Sequence, residues 1–211
     1  MTPTLTLYDP SFLPCLERVG PAFLETHEQP IYGMRPDGEI AYVNPAYLRF
    51  ADQNGAGADI RENWAVGANA FDAMIGPLKE FYRGRFAECM RRKVVWDHLY
   101  ECSSASEFRE FNLRAFPLDG CGVLVVHALV VQAPHDPATH HASLPEVGRY
   151  MDQYGLITQC YHCRRVRRQG APPSWDWVPQ WVDHPPPNTS GSLCAPCAAH
   201  NFPGVDVAPI C

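Results

Sequence analysis

Four cysteines in the last quarter of the chain are spaced for metal chemistry: Cys160-Tyr161-His162-Cys163 and, after a 30-residue spacer, Cys194-Ala195-Pro196-Cys197. A CxxC turn folds two sulfurs onto one ion. Two such turns complete the tetrahedron that zinc forms with thiolates at about 2.3 Å. The spacer is longer than in most zinc ribbons. Its length matters little, because loop closure costs about 0.6 kcal/mol per doubling, whereas structural zinc supplies on the order of 10 kcal/mol. One structural zinc on Cys160, Cys163, Cys194 and Cys197 is the expectation. Unligated thiols, a pair of disulfides and a thiol–disulfide switch are the competing readings, since a CxxC turn can lower a thiol pKa. No thioredoxin-like βαβ pattern surrounds CAPC, which places the switch second. His162 and His200 flank the knuckles, but four thiols already fill a zinc site.

Arg164, Arg165, Arg167 and Arg168 follow the first knuckle. Such a run can dock an acidic partner or nucleic acid, or it can form a solvated face that offsets a negative tetrathiolate. The net charge of −6 favours the second and argues against nucleic acid or an anionic membrane as the main partner. Cys15, Cys102, Cys121 and Cys211 show no partner spacing and read as packing or surface thiols. Haem needs an axial His, Cys or Met facing an open pocket. The strands offer His98 and His127, the long helix only Cys89 and Met90, and there is no CxxCH, so haem is not expected. His135, His140 and His141 lie in a proline-rich stretch and read as exposed.

The elements that must position these groups fit 211 residues with 46% hydrophobic content, room for one full domain and a small one. A remainder of about 50–60 residues usually needs a staple. No apolar run reaches transmembrane length, and the first residues lack the basic start of a signal peptide. Nine cysteines cannot all pair within one chain. A cytoplasmic setting with reduced thiols is expected.

Residues 1–24 are a lead-in, with a short helix from Pro14 towards Val19. Its Leu5, Leu7, Phe12, Leu13, Leu16 and Phe23 can cover a sheet or serve a dimer. Strands are expected at 31–34 and 40–43, joined by a Pro36-Asp37-Gly38 turn. Asn44 then caps a helix with Pro45 at its first position. Residues 52–70 read as loop with at most one helical turn. A long amphipathic helix begins at Pro77. Three antiparallel strands follow at 94–102, 108–118 and 122–131. Residues 133–148 read as a linker. The tail, 149–211, opens with a hairpin across Gln153–Gly155 that delivers Cys160 at a strand end, and Trp175, Trp177 and Trp181 must supply most of its core.

The stretches IYGMRPDGEIAYVNPAY and VVWDHLYECSS…FREFNLRAFPLDGCGVLVVHALVV frame residues 25–132 and resemble the PAS sensor domain. The tail, CYHCRRVRR…WDWVPQWV…SGSLCAPCAAHNFP, resembles the four-cysteine module that often follows PAS domains in bacterial signalling proteins. The resemblance implies an α+β fold, a five-stranded antiparallel sheet with helices on one face, followed by a small zinc-ribbon-like module. It also implies a ligand cavity between sheet and helices, with Tyr42, Phe81, Phe86, Met90, Leu99, Phe111, Leu113, Leu124 and Val126 as the candidate wall. Solid core is the competing reading of the same residues.

No phosphate loop, nucleophile elbow or HExxH occurs. The expected function is a non-catalytic signalling protein that binds a protein partner, can pair as a homodimer, and has an open question over a small-molecule ligand. Three alternatives stay open: a redox switch on the two CxxC motifs, a haem or small-molecule sensor, and a zinc-dependent nucleic-acid-binding regulator.

Overall fold

The computed structural model describes residues 7–74 and 76–205. Leu5 and Cys211 lie outside them. The chain groups into two compact units, residues 1–98 with 112–128, and residues 99–111 with 129–211.

The main sheet has five antiparallel strands in the order β2-β1-β5-β4-β3, so the expected α+β architecture is present. Its strands are β1 (Ile31–Met34), β2 (Ile40–Val43), β3 (Trp96–Glu101), β4 (Glu107–Leu118) and β5 (Gly122–Pro134). The β1–β2 turn forms as the residues dictate. Gly38 takes φ 98°, its N–H donates to the Arg35 carbonyl at 3.0 Å, and Asp37 accepts from the Glu39 N–H at 3.1 Å. A Cβ at Gly38 would strike the Phe71 ring. Alternation is clear in β4, where Phe111, Leu113 and Ala115 are buried and Arg114 between them is exposed.

Asn44 is fully buried and joins three segments. Its Oδ1 accepts from the Ile31 and Tyr47 N–H groups, each at 2.9 Å, and its Nδ2 donates to the Gln29 carbonyl at 2.9 Å. The helices are α1 (Leu13–Leu16), α2 (Pro21–Thr26), α3 (Pro45–Gln53), α4 (Gly57–Asn63) and α5 (Pro77–Arg92). The reading of 52–70 as loop is corrected by α4, which Arg61 pins to α3 through a two-pronged ion pair with Asp52 at 2.5 and 2.6 Å. Periodicity missed it because its apolar content is slight.

Apolar side chains pack on both faces of the sheet around β1, β2 and the start of β5. Phe12, Leu16 and Leu24 of the lead-in pack with Ile31, Tyr42 and Leu124 on one face. On the other, Tyr32 stacks on His127 at 5.6 Å and meets Tyr47 of α3 at 6.1 Å. The second unit carries a small sheet, order β8-β7-β6-β9, from β6 (Ile157–Cys160), β7 (Val166–Arg168), β8 (Ser174–Asp176) and β9 (Thr189–Ser192). Short helices α6 (Val147–Tyr150), α7 (Gln180–Asp183) and α8 (Ala195–Asn201) complete it.

Candidate metal centre

β6 ends on Cys160, and the chain then turns back on itself. The Arg164 N–H donates to the Cys160 carbonyl at 3.0 Å, and the Cys160 N–H to the Arg165 carbonyl at 2.8 Å. Closing this turn puts Arg164 at φ 58°, a left-handed conformation that suits glycine better than arginine. β9 runs parallel to β6, with Cys160 opposite Ser192. That register delivers Cys194 as the N-cap of α8, with Cys197 in its first turn. Gly191 allows the close approach, since a Cβ there would overlap the Tyr161 ring.

The four Sγ atoms all lie within 4.8 Å of one another, and all four residues are buried. Cys163 and Cys194 stand 3.8 Å apart. That is the edge of a tetrahedron with arms of about 2.3 Å, the Zn–S bond length, and far from a disulfide at about 2.05 Å. All four are free thiols. The Cys194 N–H donates to Cys160 Sγ at 3.4 Å. Hydrogen bonds from Cys163, Cys194 and Cys197 hold the Cys160 thiol far below its ordinary pKa, while the hydrogen bonds that Cys163 and Cys197 make to Cys160 push their own thiols up. The donor set fits a soft divalent ion that would ionise the thiols.

His162 is not one of the four donors. Its Nε2 accepts from the Glu101 N–H at 3.2 Å, which puts the ring proton on Nδ1, 4.0 Å from Glu101 Oε2. Burial pushes the imidazole down and the Glu101 carboxyl up, and Ser103 Oγ donates to Glu101 at 2.6 Å. His200 is exposed. Glu101 has no motif to mark it in the sequence.

The arginine run divides. Arg168 grips Asp176 with two hydrogen bonds of 2.8 Å, and Asp176 also accepts from the Tyr150 hydroxyl at 2.9 Å. Arg165 donates to the Thr139 carbonyl at 2.7 Å. Arg167 sits opposite Trp175, and Arg164 occupies the turn. Trp177 and Trp181 are buried and Trp175 only partly so. His135 and His140 flank Trp177 at 4.6 and 5.2 Å. His135 also bonds the Ser104 carbonyl at 2.8 Å, so these two histidines are packed, whereas His141 is exposed.

The candidate cavity wall does not line one space. Tyr42 and Leu124 belong to the lead-in cluster, and Val126 packs against it. Phe81 and Phe86 meet Trp96 at 6.3 and 5.1 Å. Met90 lines a groove with Pro36 and Gly120. Leu113 is buried, Phe111 stacks on Tyr100 at 5.7 Å, and Leu99 is 47% exposed. Alternate residues of a strand face opposite ways, and on β5 Leu124 and Val126 take the lead-in face while His127 takes the other. There Tyr32 meets Tyr47 and His127, and Trp96 meets Tyr82 and His98. Desolvation pushes His127 down to about 4.

Two cysteines read as unpaired form a disulfide, Cys15–Cys121, across 106 positions. Spacing alone does not reveal a pair so distant. Among the described residues no helix is long and apolar enough to cross a membrane.

No family profile and no curated protein matches this chain. Solved structures with a likeness include a domain of an HTR-like protein from Haloarcula marismortui, at 16% identity and TM-score 0.36 over 50% of this chain and all of that one. Another is the Vibrio cholerae VqmA dimer, described as a LuxR-type receptor, at 12% identity and TM-score 0.38, where the likeness spans 65% of this chain and 57% of that one. At these scores the likenesses carry no argument about what this chain does.

Proposed function

We propose that this chain is a non-catalytic, PAS-like signalling domain closed by a structural zinc on Cys160, Cys163, Cys194 and Cys197, acting by binding a protein partner. The observation that carries it is the four-thiol cluster at tetrahedral spacing, held by two strand ends and a helix start. Zinc would tie β6 to α8 and ionise the thiols, and Arg164 to Arg168 would offset the resulting charge. Partner binding is supported by exposed apolar side chains on the strands of the second unit. Leu99, Leu129, Val130 and Val131 are 38–54% exposed, and exposed apolar side chains of this kind suit an interaction surface.

Elemental mass spectrometry on untagged protein, with a thiol count and an absorbance scan, tests the reading. One zinc per chain, lost in Cys160→Ser and in Cys194→Ser, is expected. Metal-free protein whose thiols cycle between free and bonded would replace it with the redox-switch reading.

A further inference from the structure

An unexplained space lies on the lead-in face of the main sheet. It is a cleft of about 670 Å³ between α1, α2 and the strands, lined by Val19, Phe23, Leu24, Phe116, Leu124 and Val126 among others. Pockets of 300–1,000 Å³ with apolar walls and few polar groups are typical of small-molecule sites. The Cys15–Cys121 disulfide, whose two residues also line the cleft, ties α1 to the β4–β5 turn, so one wall is fixed before any ligand arrives.

Charge at the rim selects among apolar ligands. Arg18 and Arg114 line the cleft against one carboxylate, Asp119. Asp119 is already answered twice, by Arg18 at 3.1 Å and by Lys93 at 2.8 Å. Arg114 engages Asp97 through Nε at 2.6 Å, one of the five donors that a guanidinium carries, and lies over the Phe116 ring at 5.8 Å. His27, also on the lining, uses its Nδ1 to accept from the Gln29 N–H at 3.1 Å.

We infer that this cleft binds a small amphipathic monoanion: an apolar body of about ten carbons seated between α2 and β5, with its carboxylate at Arg114. Such binding is a property of this unit whether or not the chain signals, so failure here leaves the signalling reading standing.

The test uses zinc-loaded full chain and anilinonaphthalene sulfonate, an apolar anion whose emission rises out of water. Saturable one-to-one binding is expected, displaced by decanoate and, about tenfold more weakly, by octanoate, which lacks two methylenes. Decanol should compete several-fold less well than decanoate. Val126→Phe, which fills the floor, should abolish binding in a protein that still melts cooperatively. Arg114→Gln, which leaves the core alone, should erase the preference for decanoate over decanol. No saturable binding, equal competition by decanol in the parent protein, or unchanged binding in folded Val126→Phe would each overturn the proposal. So would a stable dimer of the parent chain from which the dye is excluded, since a second copy would then be the occupant.

Discussion

In the first unit the buried centre is made of apolar side chains, with the Cys15–Cys121 disulfide beside them. Phe12, Leu16, Leu24, Ile31 and Leu124 pack on one face of the sheet, and Phe71, Phe86 and Leu113 lie among its other buried residues. In the second unit the apolar cluster is Tyr150, Ile157, Val166, Val178 and Trp181, and its other buried centre is four thiols. The 149–211 tail that carries the thiols, a stretch of about 60 residues, buries too small a share of its surface to stand on apolar contacts alone. On the proposed reading the contrast is one of energy source: area burial and one disulfide for the first unit, metal–thiolate bonds for the other.

The sharpest way to break that contrast is to remove a donor. Cys160→Ser or Cys194→Ser, or a strong chelator, should forfeit on the order of 10 kcal/mol of metal binding and unfold the second unit. Limited proteolysis should then cut within residues 133–205 while residues 31–98 stay protected. Simultaneous loss of both units would mean that they do not differ in the way argued. The converse cut is Asn44→Ala, which orphans the Ile31 and Tyr47 N–H groups and should cost the first unit about 3 kcal/mol. A lower urea midpoint with unchanged zinc content is the expected result.

A smaller effect separates the units by pH. His127 is held neutral, with its pKa down at about 4 against about 6.5 in the unfolded chain. The unfolded state therefore binds the extra proton between these values. The stabilising contribution is whole above about pH 6.5 and is lost as pH falls towards 4. Discounted for partial exposure, it amounts to about 2 kcal/mol. Replacing the ring in His127→Phe should flatten the fall in the first unit's stability across that window, measured by urea unfolding at each pH. Smallest is Arg164→Gly, which relieves the left-handed turn and should stabilise the zinc-loaded second unit by about 0.5 kcal/mol in thermal melts.

Local chemistry was legible in the sequence wherever neighbours in the chain are neighbours in space. The Pro36-Asp37-Gly38 turn, the Asn44 cap, the alternation at Phe111 to Ala115 and the two CxxC knuckles all depend on contacts a few residues apart. What depends on distant pairing was not. Cys15 and Cys121 meet only because the lead-in lies across the sheet. The strand period shows that Leu124 and Val126 share a face but not which helices cover it, and so the cavity wall was drawn across both faces. Residues 133–148 carry no periodicity, yet His135 and His140 pack on Trp177, because aromatic contacts need no repeat.

The parallel pairing of β6 with β9 also sets a schedule. Cys163 leaves the ribosome 31 positions ahead of Cys194, and Cys160 34 ahead, an interval of about 2–6 s at ordinary rates of synthesis. Through that interval the newborn chain displays a lone dithiol with no second pair to share an ion. Its oxidation to a wrong bridge, or its capture by the first metal to arrive, competes with correct closure. The yield of closed protein should then depend on how fast translation covers the stretch from Arg164 to Leu193.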